Sequence, residues 1–471
     1  MSSTGTNQPL DLSATGIAAD DPRFAPLLAD LQGDILQSNG RDNAAYVVLR
    51  FTGQPADVRR WLASLANTYV TSARKQLDDA AKHRADKNFD GGLFGTLALS
   101  AAAYQRIGFA IDDVPRDRQA HYIPGMIDPG ISASLNDPPP NCLEPWSRGE
   151  IDAVLGLFDN QLPRLEKAIA DVTAGAAGKA TILSAERGLR WSGPTGLSIE
   201  PFGYADGISQ PIFLKKDLPP NPAPGTFDPS APLELVLVPD PHGASPQSCG
   251  SFMVYRKLKQ DVNGWNAAVV KLAGTLGIEP ALAGAYAIGR FKDGTPVVSS
   301  PRPTGQKPDN TFPFERDPQG THCPFQAHIR KANPRGDTVR SNNAPLDVER
   351  SHRIARRGYV FGAQNGDFSD VGLQFVCYQS DIAGQFEFIQ SAWSNTSTFA
   401  QMSTGLDAVI GQNPVAEGTC TQQPPASGQL WPKTWGGPAN QTTEGVLSGF
   451  VSLQGGAYLF APSISFLKGL T

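Results

Sequence analysis

Hydrophobic positions along the first half of the chain change their period several times, and each change marks an expected element. Ala45-Tyr-Val-Val-Leu-Arg-Phe51 is a short, almost continuous apolar run and predicts a strand. From Ala56 to Ala85 apolar residues recur among charges at helical spacing, which predicts one or two amphipathic helices. A strand is expected over Leu93–Ser100 and a helix from Ile151 to Ala174. That order describes a compact α+β unit. The stretch Asp217-Leu-Pro-Pro-Asn-Pro-Ala-Pro-Gly225 then breaks the pattern, because clustered prolines continue neither helix nor strand. A domain boundary is expected there, dividing the chain into 1–216 and 217–471.

The second half repeats the logic. Leu233–Val238 and Gly250–Arg256 read as strands, Asn266–Leu276 as a helix, Gly372–Tyr378 as a strand and Ala383–Ser391 as a helix. A late hairpin is expected near Phe450–Phe460, turning at Gln454-Gly-Gly456. The halves share element order and no residue-level repeat.

Composition narrows the function classes. A chain of 471 residues suggests two or three domains at about 150 residues each. With 48 glycines, 40 prolines and only 18% charged residues, loops should dominate the surface. A net charge of −5 and the absence of any Lys/Arg run exclude a polyanion footprint, so nucleic acid is not an expected partner. No run approaches the roughly 18 apolar residues of a membrane span, so a soluble protein without a membrane anchor is expected. Met1 to Asp20 lack the basic and apolar regions of an uncleaved signal peptide. The compartment stays open between an extracellular mature or leaderless form and the cytoplasm, and nothing speaks to oligomeric state. Five cysteines, odd in number and without metal-type pairing, indicate buried thiols rather than a disulfide scaffold or a zinc site. Asn395-Thr-Ser and Asn440-Gln-Thr are glycosylation sequons, a pattern common by chance.

Candidate chemistry gathers in three segments. Glu200-Pro-Phe-Gly-Tyr-Ala-Asp-Gly-Ile-Ser-Gln-Pro211 sets Asp206 between two glycines. Cys323-Pro-Phe-Gln-Ala-His-Ile-Arg-Lys-Ala-Asn-Pro-Arg335 sets His328 in a cationic stretch, and Arg353-Ile-Ala-Arg-Arg-Gly-Tyr-Val-Phe-Gly362 carries Arg356. Alone, the first is an ordinary Asp-Gly turn and the last a solvated basic face. Among six histidines, His83 lies in a charged helix and His121, His242 and His322 in proline- or glycine-flanked loops, which leaves His328 and His352 as candidate ligands.

In this order the three segments resemble those of the dye-decolourising peroxidases. Gly203-x-x-Asp206-Gly207 looks like the hallmark motif of that family, and the core of the His328 segment looks like its axial-histidine segment. The resemblance extends from about Leu31 onward and selects His328 over His352. It implies an α+β fold of two ferredoxin-like domains whose antiparallel sheets enclose a haem pocket, with haem b as cofactor. It also implies an enzyme that reduces hydrogen peroxide and oxidises dyes, phenols and related aromatic molecules. His328 would ligate the iron, Asp206 would move the peroxide proton, and Arg356 would stabilise charge on the departing oxygen. Asp407 becomes a candidate to orient His328, Leu373 and Phe375 candidates to cover the distal haem face, and Arg330 or Arg335 candidates to pair with propionates. The alternatives are a haem-binding or iron-handling protein with little turnover, and a structural protein without haem. Retention of both Asp206 and Arg356 argues against the first.

Overall fold

The structure is a computed structural model that describes residues 9–219, 227–425 and 428–471. Its first sheet is built from β1 (Asn43–Phe51), β2 (Phe94–Leu99), β3 (Ala153–Asp159) and β4 (Ala180–Leu189). Between β1 and β2 run α1 (Pro55–Thr68) and α2 (Ala73–Ala85), and between β3 and β4 runs α3 (Leu162–Gly175). Pro55 opens α1 where its missing N–H costs nothing, and Val58, Trp61, Leu62 and Leu65 form the buried stripe. Ser72 caps α2 by accepting from the Lys75 N–H. The strands are antiparallel in the order β2-β3-β1-β4, which is the ferredoxin-like arrangement.

The second sheet uses β5 (Cys249–Gln260), β6 (Tyr359–Phe361), β7 (Gly372–Gln379) and β8 (Val451–Ala461), with α4 (Val262–Leu276) after β5. Its order, β8-β5-β7-β6, repeats that of the first. Two single-residue seams, Phe460 against Leu99 and Val360 against Leu189, join the sheets edge to edge, so that eight strands close on themselves. Closure leaves no free edge among these eight, and β3 is buried on both faces along its whole length. Tyr46, Val48 and Phe158 of the first sheet meet Met253, Tyr255 and Val376 of the second in one cluster, while Val47, Leu49 and Leu155 face the helices in another.

This double burial explains the main correction to the sequence-based elements. The expected helix from Ile151 to Ala174 is β3 followed by α3, because a strand covered on both faces is continuously apolar and loses its alternation. The expected hairpin at Phe450–Phe460 is the single strand β8, with a register irregularity between Leu453 and Gly455. Gly455 serves close approach rather than a turn, since a Cβ there would lie 2.5 Å from that of Ser147. Leu233–Val238 is a 3-10 turn over Leu233–Leu235, with strand pairing only at Val238–Pro239. The helix expected at Ala383–Ser391 is wound as π-helix over Ala383–Glu387 and Ile389–Ser394. Cys142 and Cys420 form a disulfide, against the expectation of free thiols, whereas Cys249, Cys323 and Cys377 are buried thiols. The Asn395 amide donates to Leu135 O and accepts from Gln390 and Gln412, so that sequon is engaged in packing. Of the proline-rich stretch expected as a boundary, residues 220–226 lie outside the described residues, as do 1–8 of the amino-terminal segment. No single helix among the described residues is long and apolar enough to cross a membrane.

Candidate active site

Asp206 is presented by a loop that holds itself in shape. The Glu200 carboxylate accepts from the Phe202, Tyr204 and Gln260 donors, and burial pushes it up to about 7 despite them. Gly203 and Gly207 take φ of +91° and +77°, a left-handed region open to glycine, so both flanks of Asp206 need that residue type. Phe202 stacks on Trp265 of α4 at 4.6 Å and ties the loop to the second unit.

Arg356 comes from a two-residue strand, Ala355–Arg356, paired to Cys377 and Tyr378 of β7. Its backbone N–H donates to Gln210 Oε1, and its Nη1 donates to Asp206 Oδ1 at 2.8 Å. Burial by itself would lift the Asp206 carboxyl, but the Arg356 guanidinium and the Gly207 N–H hold it below 3.8.

His328 begins the short helix His328–Ala332, and its Nδ1 meets Asp407 Oδ2 at 3.0 Å. Asp407 is fully buried, and its other oxygen accepts from the Val409 and Ile410 N–H groups. Burial opposes its charge, yet the ring and these donors lower its pKa. An ionised Asp407 fixes Nδ1 as the protonated nitrogen and leaves Nε2 with its lone pair, without a hydrogen-bond partner among the described residues. His352, the other candidate, donates from Nδ1 to Gly384 O and stacks on Phe388 at 3.8 Å, as a packed side chain.

Asp206, Gly207, His328, Arg335, Arg356, Leu373 and Phe375 all line one cavity of about 250 Å³. Arg330 does not, which corrects one of the two expected propionate partners. Its guanidinium is fully buried and consumed by Asp317, Asp337 and the Cys323 carbonyl, between the rings of Phe314 and Phe325. Arg335 differs: among the described residues it donates only to Asn310, Phe312 O and Ser209 Oγ, and burial drives its pKa well down. Sequence reasoning missed two arginines of the same kind. Arg290 and Arg353 also line the cavity, donate to neutral oxygens, and are lowered by burial to about 10. Arg290 was visible as a lone charge ending the apolar run Ala281–Phe291. Three guanidiniums without a carboxylate partner among the described residues, those of Arg290 and Arg335 buried, favour an anionic occupant.

The family profile "Dyp-type peroxidase, C-terminal" matches residues 286–406, the part that holds His328 and Arg356. The chain is 34% identical to the multifunctional dye peroxidase DyP2 of Amycolatopsis sp. over 98% of its own length and 100% of that protein. It belongs to the DyP-type peroxidase family. The crystal structure of the Anabaena sp. DyP-type peroxidase superposes with a TM-score of 0.90 at 39% identity, covering 98% of this chain and 99% of that one. A dye-decolorizing peroxidase solved in complex with 2,6-dimethoxyphenol superposes at 0.76 with 26% identity, over 94% of this chain and 98% of that one. This DyP-type peroxidase is thus an oxidoreductase acting on peroxide, with haem as the cofactor of its family. The expected α+β architecture of two ferredoxin-like units is the one observed.

Proposed function

We propose that this peroxidase uses haem b to reduce hydrogen peroxide and oxidises phenols and dyes, the substrates that the names of its relatives indicate. The observation that carries the proposal is one cavity lined both by His328, with Asp407 behind it, and by the Asp206–Arg356 pair. The residues present fit haem. His328 Nε2 is a free imidazole donor for iron, Leu373 and Phe375 supply apolar wall, and Arg335, Arg290 and Arg353 await carboxylates such as propionates. When bound, the haem supplies the redox chemistry of O–O cleavage.

The chain's own groups then have distinct tasks. Asp206, ionised and hydrogen-bonded through Oδ1, keeps Oδ2 to take a proton from peroxide and return it to the leaving oxygen. The Arg356 guanidinium, a fork of donors, stabilises the negative charge that builds there. Asp407 anchors His328 and increases the basicity of its ring. We also propose residues 1–216 and 217–471 as the two domains, the first bringing Asp206 and the second His328 and Arg356.

Two variants reconstituted with haem test this assignment. His328→Ala should lose the haem absorption band while remaining folded. Asp206→Asn should keep haem and react with peroxide ~10²–10⁴-fold more slowly, the usual worth of a general acid–base group. A His328→Ala protein with the wild-type spectrum, or an Asp206→Asn protein with the wild-type peroxide rate, would reject the respective role.

A further inference from the structure

Next to the cavity lies a group of buried polar side chains that the tasks above do not use. Arg256 of β5 lines the cavity beside Phe386, and its Nη2 donates to Asp137 Oδ1 at 2.5 Å. Gln412, also in the cavity wall, donates to the same oxygen at 3.0 Å. Tyr458 of β8 is fully buried with Glu387, Arg256 and Asp137 as its charged neighbours; burial first, and then Glu387, keep its hydroxyl protonated. Glu387 in turn meets His121 Nδ1 at 2.7 Å, and the His121 side chain is 33% exposed. The group therefore runs from the cavity to solvent.

Three of its atoms are buried without a hydrogen-bond partner among the described residues: Asp137 Oδ2 and Arg256 Nε and Nη1; Tyr458 and Glu387 bond to each other. Leaving a buried donor or acceptor without a partner is costly, so three such atoms on one ion pair call for water. Asp137 also lines a separate void of about 10 Å³ with Ser132 and Leu453, and Leu453 is shared with the main cavity wall. That volume suits about one water.

We propose that His121, Glu387, Tyr458, Asp137 and Arg256, with water on their unpartnered atoms, conduct protons between solvent and the peroxide-reducing cavity. The inference rests on the peroxidase reading. Reduction of peroxide to two waters takes up two electrons and two protons; the aromatic reductant supplies the electrons, and the protons must reach the cavity, whose wall Arg256 and Gln412 join. His121 receives the proton from solvent, facing Glu387 and the nearby Asp117, itself close to Asp381. Glu387 accepts it from the ring and the waters carry it past Tyr458 to Asp137 and Arg256.

Glu387→Gln and the surface variant His121→Gln test the route in the haem-loaded enzyme, and His121→Gln serves alone if Glu387→Gln does not fold. Both should lower steady-state turnover about tenfold, enlarge the solvent deuterium isotope effect and be rescued by added imidazole. A high-resolution crystal structure should place ordered waters on Asp137 Oδ2, Arg256 Nε and Arg256 Nη1. Wild-type turnover and isotope effect in both variants, or dry density at those atoms, would overturn the route and leave the peroxidase reading intact. A wild-type enzyme inactive with peroxide would overturn both.

Discussion

Replacing Arg356 with Leu should change the peroxide reaction in two separable ways. The first is rate. Arg356 Nη1 lies 2.8 Å from Asp206 Oδ1, and the pair is the cavity's positioned charge for the departing oxygen. Loss of one such preorganised donor costs about 2.7–4 kcal/mol, or ~10²–10³-fold, so the Arg356→Leu enzyme should react with peroxide slower by that factor at its best pH. The second is pH dependence. In the wild type, burial raises the Asp206 carboxyl, and Arg356 with the Gly207 N–H more than reverses it, leaving the group below 3.8. Without Arg356 the burial effect dominates and the carboxyl rises. A base works only while ionised, so the acidic limb of the rate profile should move to higher pH in the variant. Stopped-flow measurement of the peroxide reaction across the acidic range, on samples matched for haem content, resolves both effects. A slower enzyme whose acidic limb coincides with that of the wild type would refute the coupling and remove Asp206 as the titrating base.

Other perturbations address the remaining groups. Asp407→Asn should keep part of the haem but raise the reduction potential of the iron, because a neutral amide no longer supports negative charge on the His328 ring; a redox titration reads the direction. Arg330→Met should destabilise the fold by about 3–5 kcal/mol in denaturant unfolding, since Asp317 and Asp337 lose their central buried cation, whereas Arg335→Met should chiefly weaken haem retention. The Cys142→Ser/Cys420→Ser pair should lose about 2–4 kcal/mol of stability, the constraint spanning a separation of 278 residues, with peroxide kinetics unchanged.

What the sequence by itself determined was local. The loop that carries Asp206 was legible as a turn because Gly203 and Gly207 mark a backbone that only glycine adopts without strain, while the role of Asp206 came from resemblance. Amphipathic α1 and α2 were legible because one face of each meets solvent, which preserves the helical period. The choice of His328 over His352 came from resemblance, and the residues alone left it open. Only the tertiary structure decided the rest. β3 read as helix because a closed ring of strands buries both faces and erases the period of two that would have named it. Arg330 and Arg335 stand five residues apart in one cationic stretch, yet Asp317 and Asp337 draw the first into the core while the second finds only neutral acceptors and lines the cavity. Arg290 and Asp407 reach the site from distant segments, and Cys142 meets Cys420 only because the chain returns. Such pairings depend on which elements pack together, and charge, bond and burial act through space rather than along the chain.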